Sequence, residues 1–188
     1  LRTDRLDLVQ LHSPPLETLQ VGDIVDVLLR AREAGKTRFI GCSADNETAA
    51  YAVSCGAFDT LQTSFSVLDQ GARLALFGAA RAADMGVIVK RPLANAMLGA
   101  PGPWSDYSRP YFERRLAMSL PAFEMEPIEA SLRYTLSFPV STLITGTRNA
   151  DHIRKNAEYA DKGPLPADLV AAFNAAWDAA QDDWRQLT

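Results

Sequence analysis

The chain is poor in cysteine, with only Cys42 and Cys55 in 188 residues. Two cysteines build neither a disulfide framework nor a cysteine metal site, which fits a reducing, cytoplasmic setting. Histidine is equally scarce, with two copies, and no metal-ligating cluster is spelled out along the chain. Excess positive charge is lacking too. A net charge of -4 and a pI near 5.2 argue against nucleic acid or an anionic membrane surface as the main partner. No apolar run approaches transmembrane length, and the start has no signal-peptide pattern. No G-x-G-x-x-G turn opens the first helical stretch, which weakens a doubly wound dinucleotide fold. An initiator methionine is absent as well. Leu1-Arg2-Thr3-Asp4-Arg5 looks like the tail of a helix that begins upstream, so the expectation is a chain incomplete at its N-terminus.

What is present is ordinary globular composition, 47% hydrophobic and 22% charged, in a length suited to one domain spanning 1–188. Leu6-Asp7-Leu8-Val9-Gln10-Leu11-His12 predicts a buried parallel strand, and Pro14 and Pro15 end it. Val21 to Ala34 carries a helical apolar stripe with Gly35 as its C-cap. Lys36 to Cys42 predicts a second strand, followed by the turn Ser43-Ala44-Asp45 and a helix Glu47 to Ser54 capped by Asn46. Phe58 to Phe65, the helix Ala72 to Ala83 and the strand Gly86 to Val89 continue the alternation. A loop rich in Pro, Gly and aromatics, Ala100 to Pro110, interrupts it, and loops of that length are usually lids or binding loops. Tyr111 to Met118 predicts a short helix, and Pro127 opens a helix over Ile128 to Leu136. Thr142 to Ile144 predicts a fifth strand, Ala150 to Tyr159 its helix, and Asp168 to Trp184 a long closing helix.

Strand and helix alternating five times predict parallel strands joined by right-handed crossovers, an α/β fold. A closed (β/α)8 TIM barrel needs eight such units. About five are spelled out here, so the expectation is an incomplete barrel whose bare edges favour pairing with a second copy.

Each strand end carries a polar residue, and in such folds the carboxyl ends hold the chemistry. His12 ends the first strand, where the alternative is a hydrogen-bonded core histidine. Ser43 and Gln62 offer a hydroxyl and an amide suited to a carboxamide or carbonyl. Lys90 could form a Schiff base as in a lyase or aldolase, contact a cofactor, or point to solvent. Gly146-Thr147-Arg148-Asn149 joins a strand end to a helix N-terminus, which is either a phosphate site or a turn with a solvated arginine. Trp104, Tyr107, Tyr111 and Phe112 make an apolar substrate wall or pin their loop to the barrel, whereas Trp177 and Trp184 belong to the core.

Five segments in order resemble the aldo-keto reductase family: LDLVQLHSP, FIGCS, DTLQTSFSVLD, VIVKRPLANAML and LITGTRNADHIRKN. The resemblance implies a barrel that binds NADP(H) across its C-terminal face and exchanges hydride with a small carbonyl or alcohol substrate. It implies that His12 orients and polarises the carbonyl, that Ser43 and Gln62 hold the nicotinamide carboxamide, and that Lys90 stands where many members stack a ring. Arg91, Leu93 and Asn95 would lie along the pyrophosphate. Gly146, Thr147, Arg148, Asn149 and His152 would lie near the 2′-phosphate, and Asn156 near adenine. Departures accompany the match. Ala44 replaces the usual asparagine, Ser13 a tryptophan, His152 an arginine and Lys155 an acid. The family's tyrosine, lysine and aspartate have no counterpart in these residues and are expected upstream. A non-catalytic nucleotide-binding module of the same fold is the alternative.

Overall fold

The computed structural model describes residues 2–187. Five strands, β1 (Leu6–His12), β2 (Thr37–Ser43), β3 (Thr60–Ser64), β4 (Gly86–Lys90) and β5 (Thr142–Leu143), form one sheet in sequence order. Every adjacent pair is parallel, so all carboxyl ends lie on one rim. The returns are helical: α1 (Leu16–Val21) and α2 (Asp23–Glu33) after β1, α3 (Asn46–Ser54) after β2, and α4 (Gly71–Ala75) with α5 (Phe77–Ala82) after β3. A single 3-10 turn (Ala94–Ala96), α6 (Arg109–Ala117) and α7 (Pro127–Leu136) follow β4, and α8 (Ala150–Asp161) and α9 (Ala167–Ala180) follow β5. No described helix is long and apolar enough to cross a membrane.

Side chains alternate across a strand, and the two faces of this sheet differ in kind. Ile40, Cys42, Leu61, Val87 and Val89 are buried in the apolar core. There Phe65 packs edge-on to Phe77 and Phe138, with centroids 4.8 and 4.7 Å away. The opposite parity places Gly41, Ser43, Thr60, Gln62, Ser64 and Lys90 together on the other face, with the strand registers aligning Ser43 with Gln62 and Ser64 with Lys90.

Several sequence expectations need correction. The first strand is half-buried, not fully covered, because β1 is an edge that pairs only with β2 among the described residues. The helix expected over Val21 to Ala34 begins only at Asp23: Val21 ends α1, and Gly22, at φ 89°, turns the chain between α1 and α2. Ala72 to Ala83 is likewise divided at Leu76. Asn46 does not cap α3. It is the first helical residue, Asp45 stands at the cap position, and the Asn46 side chain is used elsewhere. The closing helix stops at Ala180, so Trp184 lies in the extended chain after it while still packing on Trp177.

Gly41 decides how closely β1, β2 and β3 present their polar face. A Cβ there would fall 2.1 Å from Thr60 Oγ1 and 3.0 Å from Gln10 Cγ. Gly41→Ala is therefore expected to destabilise the fold by about 1–3 kcal/mol, read as a lower urea midpoint with an unchanged m-value.

Candidate functional site

The polar face begins with a ladder of amides. Gln10 Nε2 donates to Gln62 Oε1 at 3.1 Å, and Gln62 Nε2 donates to Ser43 Oγ at 3.0 Å. The strand register places Ser43 beside both Gln62 and His12, so these three residues are neighbours on the rim. His12 is exposed there, not a buried core histidine. Gln10 has no signal in the sequence, because an amide inside an apolar strand looks like an exception until its partner is known.

Next along the rim, Asp45 is 8% exposed and bonded on every side. It accepts from the Ser64 backbone N–H at 2.7 Å, from Thr63 Oγ1 at 3.1 Å and from Ser64 Oγ at 3.2 Å. Lys90 Nζ lies 2.9 Å from Asp45 Oδ2, and Arg91 Nη1 lies 3.7 Å from it. The lysine singled out as a Schiff-base candidate thus has its amine engaged by a carboxylate. Arg91 also donates to Ser64 Oγ at 2.6 Å and to the hydroxyl of Tyr107.

Beyond Arg91 the backbone enters the left-handed region, with φ of 59° at Arg91, 49° at Ala94, 52° at Asn95 and 61° at Ala96. Left-handed L-residues cost about 1–2 kcal/mol each, so the surroundings must hold this turn. It floors two cavities. One, of about 550 Å³, is lined by Arg91, Leu93 and Asn95 from the turn, by Trp104 and Tyr107 from the 100–110 loop, and by Gly146. The second, of about 340 Å³, is lined by Glu126, Thr147, His152, Lys155, Asn156 and Tyr159. Leu93, Ala96 and Gly146 belong to both, so the two form one trough leading from β4 to α8. Among the described residues Asn95 Nδ2 is buried with no hydrogen-bond partner, which leaves a donor for a ligand oxygen.

At the α8 end, Asn149 caps the helix by accepting from the Asp151 N–H at 2.9 Å, which commits its side-chain oxygen. Thr147 Oγ1 and His152 Nδ1 are 3.2 Å apart, and Asn156 is buried. Arg148 follows Thr147 at this end of the trough. It is exposed past the end of β5 and lines neither cavity. Glu126 went unnoticed in the sequence. It accepts from the Tyr159 hydroxyl at 3.0 Å and has Lys155 Nζ 4.0 Å away. Of the aromatic group, Trp104 and Tyr107 are exposed and line the trough, whereas Tyr111 is buried.

A parallel α/β sheet with its polar side chains on the carboxyl rim, opening into a trough that ends at a helix N-terminus, has the plan of a nucleotide-binding domain. The chain belongs to the Aldo/keto reductase family, which it matches over residues 1–110. In fold it is similar to an aldo-keto reductase from Bacillus halodurans in its holo form (22% identity, TM-score 0.80), covering 97% of this chain and 64% of that one. It is also similar to the glycerol dehydrogenase of Gluconobacter oxydans (18% identity, TM-score 0.74, 97% of this chain and 63% of that chain). A third likeness is to an aldo-keto reductase from Klebsiella pneumoniae in complex with NADPH (20% identity, TM-score 0.71, 98% and 63%). The chain thus spans less than two thirds of the length of these structures. No curated protein matches it.

Behind the rim lies a second acid invisible in the sequence. Asp69 is buried and paired with Arg114 at 3.0 Å. Burial pushes its carboxyl up from 3.8 to about 7, against the opposing pull of Arg114 and the Leu187 N–H. Because the folded value lies above the unfolded one, the stability linked to the neutral carboxyl is full below about pH 3.8. It is lost as pH rises to about 7. The expected outcome is a carboxyl carbon-13 resonance of Asp69 that titrates near pH 7.

Proposed function

We propose that these residues form the nucleotide-binding part of an NADP(H)-dependent oxidoreductase that interconverts a small aldehyde or ketone and its alcohol. The observation that carries this reading is the continuous trough with the unpartnered Asn95 donor on its floor. Ser43 and Gln62 hold a carboxamide at the strand ends. Arg91, Leu93 and Asn95 lie along the phosphates, with Gly146, Thr147 and His152 toward the adenosine and Asn156 at the base. Arg148, exposed beside that end, supplies charge for a 2′-phosphate. The Klebsiella relative solved with NADPH supports the choice of nucleotide.

When bound, the nicotinamide supplies the hydride. The chain's own part is to hold the nucleotide and to present the His12 imidazole to the carbonyl oxygen, where a donor lowers the cost of developing charge. The proton comes from the family's tyrosine, which has no counterpart in these residues.

A non-catalytic nucleotide-binding module is the second reading. It is favoured by the Asp45–Lys90 pair standing where many members of the family stack an aromatic ring.

NADPH titration of the full-length protein, followed by fluorescence, is expected to give a saturable change, and its absence would defeat both readings. Turnover of an aldehyde with NADPH then separates reductase from module. Arg148→Ala is expected to weaken NADPH binding roughly tenfold, the loss of about one charge-assisted contact, while NADH binding stays within about twofold.

A further inference from the structure

After α9 the chain turns back over the rim. Trp184 packs edge-on to Trp177, with centroids 4.9 Å apart, and the Arg114 guanidinium lies 5.2 and 5.0 Å from the two rings. Arg114 also donates to the Arg185 carbonyl. Gln186 is buried, and it pairs reciprocally with Asn46. Its N–H donates to Asn46 Oδ1 at 2.8 Å, its Oε1 accepts from the Asn46 N–H at 2.9 Å, and its carbonyl accepts from Asn46 Nδ2 at 3.2 Å. Its Nε2 donates to Thr63 Oγ1 at 2.9 Å and to the Ser64 carbonyl at 2.7 Å. The Leu187 N–H donates to Asp69 Oδ2 at 2.8 Å, and the Leu187 carbonyl accepts from Arg91 Nη1 at 3.1 Å.

The last of these contacts matters most. Arg91 touches three parts of the chain at once: Ser64 on the rim, Leu187 in the terminal segment and Tyr107 in the loop that lines the trough. Its guanidinium is also 5.5 Å from the Tyr107 ring centroid. The contact with the terminal segment is one of those that restrict the Arg91 side chain. Among the described residues, no other residue lining the trough is hydrogen-bonded to the segment. This guanidinium is the segment's direct hydrogen-bonded link to the trough.

We infer that Trp184–Leu187 is a positioning element of the nucleotide site, anchored by Gln186 and acting through Arg91 on both the 100–110 loop and the nucleotide. The inference rests on the nucleotide-binding reading above, and its test has one arm that needs no nucleotide.

In the full-length protein, Gln186→Ala is expected to raise the dissociation constant for NADPH about fivefold and to speed amide hydrogen exchange across residues 103–108. Asn46→Ala breaks the same pairing from the opposite side. It serves as an independent variant and should reproduce both effects. In an Arg91→Ala background, Gln186→Ala should add no further loss of affinity. Additive losses, or lowered melting temperature with affinity and loop exchange unchanged, overturn the inference. If the unsubstituted protein binds no NADPH, the functional reading falls, and the exchange arm still decides whether segment and loop are coupled.

Discussion

The buried carboxylate of Asp45 is the constraint on which the rim depends. Three strand ends meet at it: its own β2 side, the backbone and hydroxyl of Ser64 on β3, and Lys90 with Arg91 at β4. A carboxylate out of water is costly unless every lone pair is used. The cost is offset here by a backbone N–H, two hydroxyls and an ammonium. In return the carboxylate sets the positions of the two cations nearest the trough. With one acid against Lys90 and Arg91, the cluster keeps a net positive charge in a partly dry setting where screening is weak.

The alternation of strands and helices was legible because parallel strands and their helices differ in period, length and punctuation. The five strands fall where apolar runs end in polar residues, as at Ser43 and Lys90. The helix breaks at Gly22 and Leu76 were less visible. A glycine inside an apolar stripe is compatible with either a kink or a continuous helix, and leucine carries no stop signal at all.

The site was legible as individual strand-end residues and not as partnerships. Ser43 and Gln62 stand out because polar residues end apolar strands, yet nothing local shows that they bond to each other or that Gln10 completes the set. Asp45 reads as turn chemistry and Asn46 as a cap, and Gln186 carries no local signal. Their shared use is fixed by contacts spanning up to 140 residues, which no periodicity encodes. Arg148 is the converse case. Its helix N-terminal setting is a local signal, and where its guanidinium points depends on the long-range packing of β5 and α8.

The amide ladder itself explains why a carboxamide suits the strand ends. Gln62 Oε1 has two lone pairs and uses one for Gln10; Gln62 Nε2 has two hydrogens and uses one for Ser43. Each end of the amide is therefore oriented by a neighbour and still has one bonding position in reserve. A ligand group that both donates and accepts across the spacing of one amide engages those positions without breaking any protein bond. A lone carbonyl or a lone hydroxyl fills only part of them. Gly41 makes this possible, because only a residue without a Cβ lets Gln10 and Thr60 approach closely enough to hold the Gln62 amide in one orientation.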